Sequence, residues 1–146
     1  MNKSLTKTGG FTLIELIVVI VILGIMAAIA GPKFVNLQSD ARTSVIRGVE
    51  GSLRSAATLV YSRALIDGTE ADATGTVTTS GGSVDTVFGY PAATAAGIVA
   101  AIDLSGDIDA TTTPGTFSLR ANCNAVYTAA ANATTPASVA IDVSGC

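Results

Sequence analysis

Apolar residues are unevenly spread along this chain. Residues 11–31 form a block of 21 residues, 17 of them apolar, broken only by Thr12, Glu15, Gly24 and Gly31. A run of that length predicts a helix about 32 Å long, enough to cross the hydrocarbon core of a bilayer. From residue 33 to about 65 the pattern changes. Phe34, Leu37, Ala41, Val45, Val49, Leu53, Ala56, Val60 and Ala64 step by three or four, which predicts an amphipathic helix whose apolar stripe packs a head domain. Gly48 and Gly51 weaken it locally, and Asp67-Gly68 reads as its stop. Beyond Asp67 the chain becomes rich in Ala, Thr, Gly and Ser. Residues 67–89, with Gly81-Gly82, read as loop, and Pro91 opens a short helix over 92–103. Runs at 116–121, 125–129 and 138–143 alternate or are β-rich, with turn chemistry at Asn122-Cys123-Asn124 and from Asn132 to Pro136. Together these predict an α+β fold, a long N-terminal helix packed on a small antiparallel β-sheet head.

Charge sharpens the reading of the apolar block. Lys3 and Lys7 precede it with no acid, whereas Lys33, Asp40 and Arg42 follow it, which favours an N-in orientation. A membrane anchor fits this, and so does a secretory signal cut after Ala30, because Ala28-Ile29-Ala30 matches the A-x-A pattern. A third reading starts from Gly9-Gly10, which ends the basic leader, and from Glu15 inside the block. An acidic side chain costs roughly 2.5–3.5 kcal/mol at the middle of a transmembrane helix, less near its end, and by default marks function.

Composition narrows the chemistry. The 146 residues are 49% hydrophobic and 13% charged, and they include no His and no Trp. Without His there is no Ser-His-Asp or Cys-His nucleophile and no His-based zinc site. The net charge of −3 gives nucleic-acid binding no electrostatic basis. No catalytic, cofactor or metal motif stands out, so the chain reads as a non-enzyme.

The segment Gly10-Phe11-Thr12-Leu13-Ile14-Glu15-Leu16, after a short basic leader and before an apolar run, resembles the processing site of type IV prepilins. Gly31-Pro32-Lys33-Phe34, Ser62-Arg63-Ala64-Leu65, Gly89-Tyr90-Pro91 and a Cys at position 146 further resemble the mannose-sensitive haemagglutinin (MSHA) type of major pilin. The resemblance implies a cut between Gly10 and Phe11 by a prepilin peptidase, N-methylation of Phe11, and an assembly role for Glu15, paired with the Phe11 amine of a neighbouring subunit. It divides the chain into a cleaved leader (1–10), a hydrophobic transmembrane and filament-core helix (11–32), an amphipathic helix (33–66) and a globular head (67–146). It names as partners further copies of the chain, the peptidase/N-methyltransferase, the pilus assembly machinery and the inner membrane before assembly. It implies a precursor with a cytoplasmic N-terminus and a periplasmic head, then an extracellular adhesive filament. A type II secretion pseudopilin shares the same N-terminal logic. Phe11 and Glu15, four apart, share a helix face, and a carboxylate and an ammonium removed from water each need a partner.

Five further features remain. Gly31 and Pro32 are poor helix-interior residues, so a kink is expected there, or else Gly31 caps a new helix that Pro32 begins. Cys123 and Cys146 are the only thiols, and outside the cytoplasm a bridge would pin the C-terminal strand, matching the family's disulfide loop. Asp103, Asp107 and Asp109 lie near Gly106, but their spacing is not an EF-hand and a solvated turn is the simpler reading. Asn132-Ala133-Thr134 is a glycosylation sequon. Charges are also segregated: five bases face two acids over 33–66, with Arg42, Arg47, Arg54 and Arg63 expected opposite the apolar stripe, whereas eight acids face Arg120 alone over 67–146.

Overall fold

The computed structural model describes residues 10–104, 106, 108–110 and 112–146, apart from the side chains of 32–36. The leader (residues 1–9), Asp107 and the Pro32 side chain therefore lie outside the described residues. The chain divides into two units, Met1–Gln38 and Ser39–Cys146. One α-helix, α1, is assigned over Leu13–Asp67. It is uninterrupted at Gly31-Pro32, so Pro32 does not begin a separate helix.

In the first unit α1 is apolar on every side. Leu13–Gly31 has a mean hydropathy of 3.0 and is nowhere buried within the chain. In the second unit one face of α1 carries the core. Ile46, Val49, Leu53, Ala56, Ala57, Val60 and Ala64 are buried, at the three- and four-residue steps of a helix. The stripe read from sequence holds from Val49 onward; before it Leu37, Ala41 and Val45 are exposed, and the Phe34 side chain lies outside the described residues. Leu37 and Val45 are 59% and 45% exposed, and Ile46, fully buried, takes the first core position. The helix ends as Asp67-Gly68 suggested. Gly68 has φ +71°, and the Thr69 amide donates to the Ala64 carbonyl at 2.9 Å, the Schellman closure that glycine makes without steric cost.

Among the described residues, six strands follow in two three-stranded antiparallel sheets. The first joins β1 (Gly75–Thr79), β2 (Gly82–Val87) and β3 (Tyr90–Pro91). The second joins β4 (Thr116–Arg120), β5 (Cys123–Thr128) and β6 (Ser138–Asp142) in that order. The fold is thus α+β, as expected, and the second sheet lies where three strands were read. Two readings are corrected. Residues 67–89 are not all loop, because β1 and β2 pair through Thr79↔Gly82. Each of these strands buries a single valine, Val77 or Val84. Their Thr-rich flanks favour a half-buried pleat, although Thr and Gly also read as loop. Residues 92–103 are not a regular helix either. Pro91 of β3 pairs with Thr86 of β2, and only a short helical turn over Ala95–Val99, kinked at the non-helical Gly97, follows among the described residues. Its geometry is set by the Thr94 hydroxyl, which accepts from the Gly97 amide at 3.0 Å, and by the Ile98 amide, which reaches back to the Ala92 carbonyl at 2.8 Å. The buried Ile98 side chain holds this turn in the core.

The larger core cluster sets Ile46–Ala57 of α1 against Ile98, Phe117, Cys123, Ala125 and Tyr127. A smaller one joins Val60 and Ala64 to Val77 and Val84. The head therefore hangs on α1 through both sheets, the second sheet on the earlier turns and the first on the later ones. Phe88 and Gly89, at φ +49° and +76°, turn β2 into β3 with the double positive φ of a type I′ turn. A Cβ on Gly89 would lie 2.9 Å from the Glu70 Cα and 3.0 Å from the Tyr61 ring, so this turn is also a close approach to the end of α1. Tyr61 stacks on Tyr90 there, with ring centroids 4.4 Å apart. Tyr127 donates its hydroxyl to the Pro91 carbonyl at 2.8 Å, tying the two sheets together. Burial, with a smaller contribution from Tyr90, raises the Tyr127 phenol above its ordinary value.

Candidate processing and assembly site

A Cβ on Gly10 would meet nothing within 4 Å among the described residues, and Phe11 is 91% exposed. Helix α1 begins immediately after. The Thr12 amide donates to Glu15 Oε2 at 2.9 Å, and the Thr12 hydroxyl donates to the same oxygen at 2.8 Å. The Glu15 amide in turn approaches Thr12 Oγ1 at 3.3 Å. This is a capping box. Two of the four amides that a helix start leaves without partners are satisfied by the side chains of its cap and third residue. Glu15 Oε1 accepts no hydrogen bond among the described residues. The sequence signal for this cap is the T-x-x-E spacing of Thr12 and Glu15 ahead of an apolar run.

Behind the cap, Ile14, Leu16, Ile17, Val18, Val19, Ile20, Val21, Ile22, Leu23, Ile25, Met26 and Ile29 are all exposed, each by 46% or more. Water opposes so large a continuous apolar surface. Lipid tails suit it, because a helix satisfies its own backbone, and so do other copies of the same surface.

The remaining predicted residues lie in the second unit. Cys123 and Cys146 form a disulfide with Cα atoms 4.9 Å apart, in the larger core cluster. Arg42 Nη1 donates to the Cys146 carbonyl at 3.2 Å, and Arg54 Nη2 to the Val139 carbonyl at 3.2 Å. These two arginines therefore do not form a free basic face opposite the stripe; they fasten α1 to the C-terminal residues and to β6. Arg54 also pairs with Glu50 at 2.9 Å, and Arg63 with Asp67 at 3.0 Å, both one turn apart on α1. Arg47 is exposed and forms no ion pair among the described residues. Next to the disulfide, Asp142 accepts from the Ser144 amide at 3.0 Å and hydroxyl at 2.7 Å, bonds that hold its carboxyl below the usual range, the amide foremost.

Of the aspartates near Gly106, Asp107 lies outside the described residues; among the described residues no three His, Cys, Asp or Glu side chains group together. Asp109 instead bonds Thr112 and pairs its backbone with Ser118. The sequon asparagine, Asn132, spends its carbonyl oxygen within its own turn, accepting from the Thr134 amide and hydroxyl and the Thr135 amide.

Residues 5–31 match the prokaryotic N-terminal methylation motif. The chain is 43% identical over 70 residues to a type IV major fimbrial protein, FimA, of Dichelobacter nodosus, covering 48% of this chain and 40% of that protein. It is 48% identical over 50 residues to the type IV narrow pilus major component PilA5 of Thermus thermophilus, covering 34% of this chain and 43% of that one. The matches thus span less than half the length of these curated relatives. No solved structure matches. The relatives are named as fimbrial and pilus components, not as enzymes. The chain combines an N-terminal methylation motif with a pilin-like α+β fold.

Proposed function

We propose that this chain is the major structural subunit of a type IV pilus of the MSHA type, cut between Gly10 and Phe11, N-methylated at Phe11 and polymerised into an adhesive surface filament. The observation that carries the reading is the apolar helix Leu13–Gly31, none of it buried within the chain, inside a methylation motif that matches residues 5–31. Before assembly that helix spans the inner membrane, with the leader cytoplasmic and the head periplasmic. In the filament it packs with its copies. Glu15 then sets axial register, because only a copy in the right position offers the Phe11 amine as a partner; a mispaired carboxylate stays unneutralised at a cost of several kcal/mol. The Gly31-Pro32 step is where the helix softens during assembly. The surplus of bases over 33–66 and of acids over 67–146 supports contact between the helix of one copy and the head of the next, with Arg47 exposed and in no ion pair among the described residues. The names of the relatives, a major fimbrial protein and a major pilus component, favour a surface pilus over a short periplasmic pseudopilus.

Electron microscopy of material sheared from cells, with antibody against the head, tests this. Long filaments decorated along their length are expected. The chain found only in the cell envelope, with no filaments, contradicts the proposal and favours the pseudopilin. Raising salt from low to molar strength is expected to weaken the filaments against shear; filaments indifferent to salt remove the charge contact.

A further inference from the structure

The capping box divides the two oxygens of Glu15. Oε2 takes both Thr12 bonds, from the amide at 2.9 Å and the hydroxyl at 2.8 Å, while Oε1 is left open. A carboxylate without a second donor would turn freely about its last torsion. Held by Thr12, it presents one oxygen outward from the first turn of α1. A carboxylate removed from water needs more than one hydrogen bond to offset its lost hydration. A single ammonium from a neighbouring copy fills one oxygen; on the other the Thr12 amide supplies one bond, and the Thr12 hydroxyl supplies the second. The Thr12 hydroxyl is the only side-chain donor that reaches it among the described residues.

From this we infer that Thr12 is a positioning residue for subunit joining: its hydroxyl holds Glu15 Oε2 on its own helix so that Oε1 is free, and aimed, for the ammonium of a second copy of this chain. The inference rests on the filament reading above and deepens it. Thr12 has two separable tasks. Its oxygen accepts from the Glu15 amide at 3.3 Å, which any good helix cap does. Its hydroxyl proton goes to the Glu15 carboxylate, which only a donor can do.

Three substitutions separate these tasks in cells making the full-length chain, with filament yield measured per leader-free subunit. Thr12→Ser keeps both tasks and is expected to match the wild type. Thr12→Val keeps the shape but loses both, and is expected to lower yield about fivefold or more, the scale of a lost cap or hydroxyl bond. Thr12→Asp is the deciding variant. Aspartate is as good a cap as threonine, yet it cannot donate and sets a like charge beside Glu15, so the inference requires it to fail as Thr12→Val does. Wild-type yield from Thr12→Asp would show that Thr12 only caps the helix and would overturn the inference. So would wild-type yield from Thr12→Val, or retention of the leader by Thr12→Val, which would assign the hydroxyl to the peptidase. A wild-type chain that forms no filaments overturns the filament reading itself, which these outcomes leave standing.

Discussion

At the scale of single residues, the N-terminus concentrates the chemistry of the chain in three positions. Gly10 is open, Phe11 is exposed, and Glu15 is half-satisfied by its own helix. Replacing Gly10 by valine is expected to leave the leader attached, seen as a heavier subunit confined to the membrane on an immunoblot. Glu15→Ala is expected to be cut normally yet to lose surface filaments at least tenfold, since the register partner is gone; unchanged piliation by microscopy would remove that role. Glu15 stands out in the sequence itself, because an acid in an apolar run cannot be explained by packing. The Thr12 bonds were not read, because a threonine beside Phe11 looks like one more tolerated polar residue until its spacing to Glu15 is tested against helix-start chemistry. The same limit applied to Ile46 and Val45. Both are apolar neighbours in the sequence, and only the position of the second sheet decides which is covered.

At the scale of elements, α1 carries opposite designs in its two units. Leu13–Gly31 is exposed on all sides, whereas from Ile46 onward a single face is buried. Substitutions should divide accordingly in the detergent-solubilised subunit. Leu53 is fully buried between α1 and the second sheet, so Leu53→Ala is expected to cost about 2–5 kcal/mol in denaturant unfolding. Leu59, 66% exposed on the same helix, should cost under about 0.5 kcal/mol when truncated, unless copies cover it in the filament. Tyr127→Phe leaves the Pro91 carbonyl without its donor and should cost about 1–3 kcal/mol. The long helix and the strands β4, β5 and β6 were readable because their periods are sustained and their inward residues are large. The β1–β2 hairpin was not, because one buried valine per strand, with only Thr86 buried beside Val84, gives too short an apolar alternation to separate pleat from loop.

At the scale of the whole molecule, the second unit is closed by its C-terminal residues, which the disulfide, Arg42 and Arg54 tie to β5 and α1. Cys146→Ser is expected to lower stability by ~3 kcal/mol, the chain-entropy value for a closed loop of this size, read as a lower melting temperature of the solubilised subunit. The pH response follows from Tyr127. Its phenol is raised by burial, so the folded state holds the proton that the unfolded chain releases near pH 10. That contribution is complete below pH 10 and is lost as pH rises beyond it. A melting temperature flat from pH 7 to 9 and falling above 10 is expected, with the fall reduced in Tyr127→Phe. The central claim is that the block 11–31 is kept, as the working surface of a processed subunit, rather than discarded as a secretion signal. The mature N-terminus decides it most directly, by mass spectrometry of the chain recovered from sheared surface material. The account predicts a subunit beginning at N-methylated Phe11. A subunit beginning at Gly31, or one that retains residues 1–10, contradicts it.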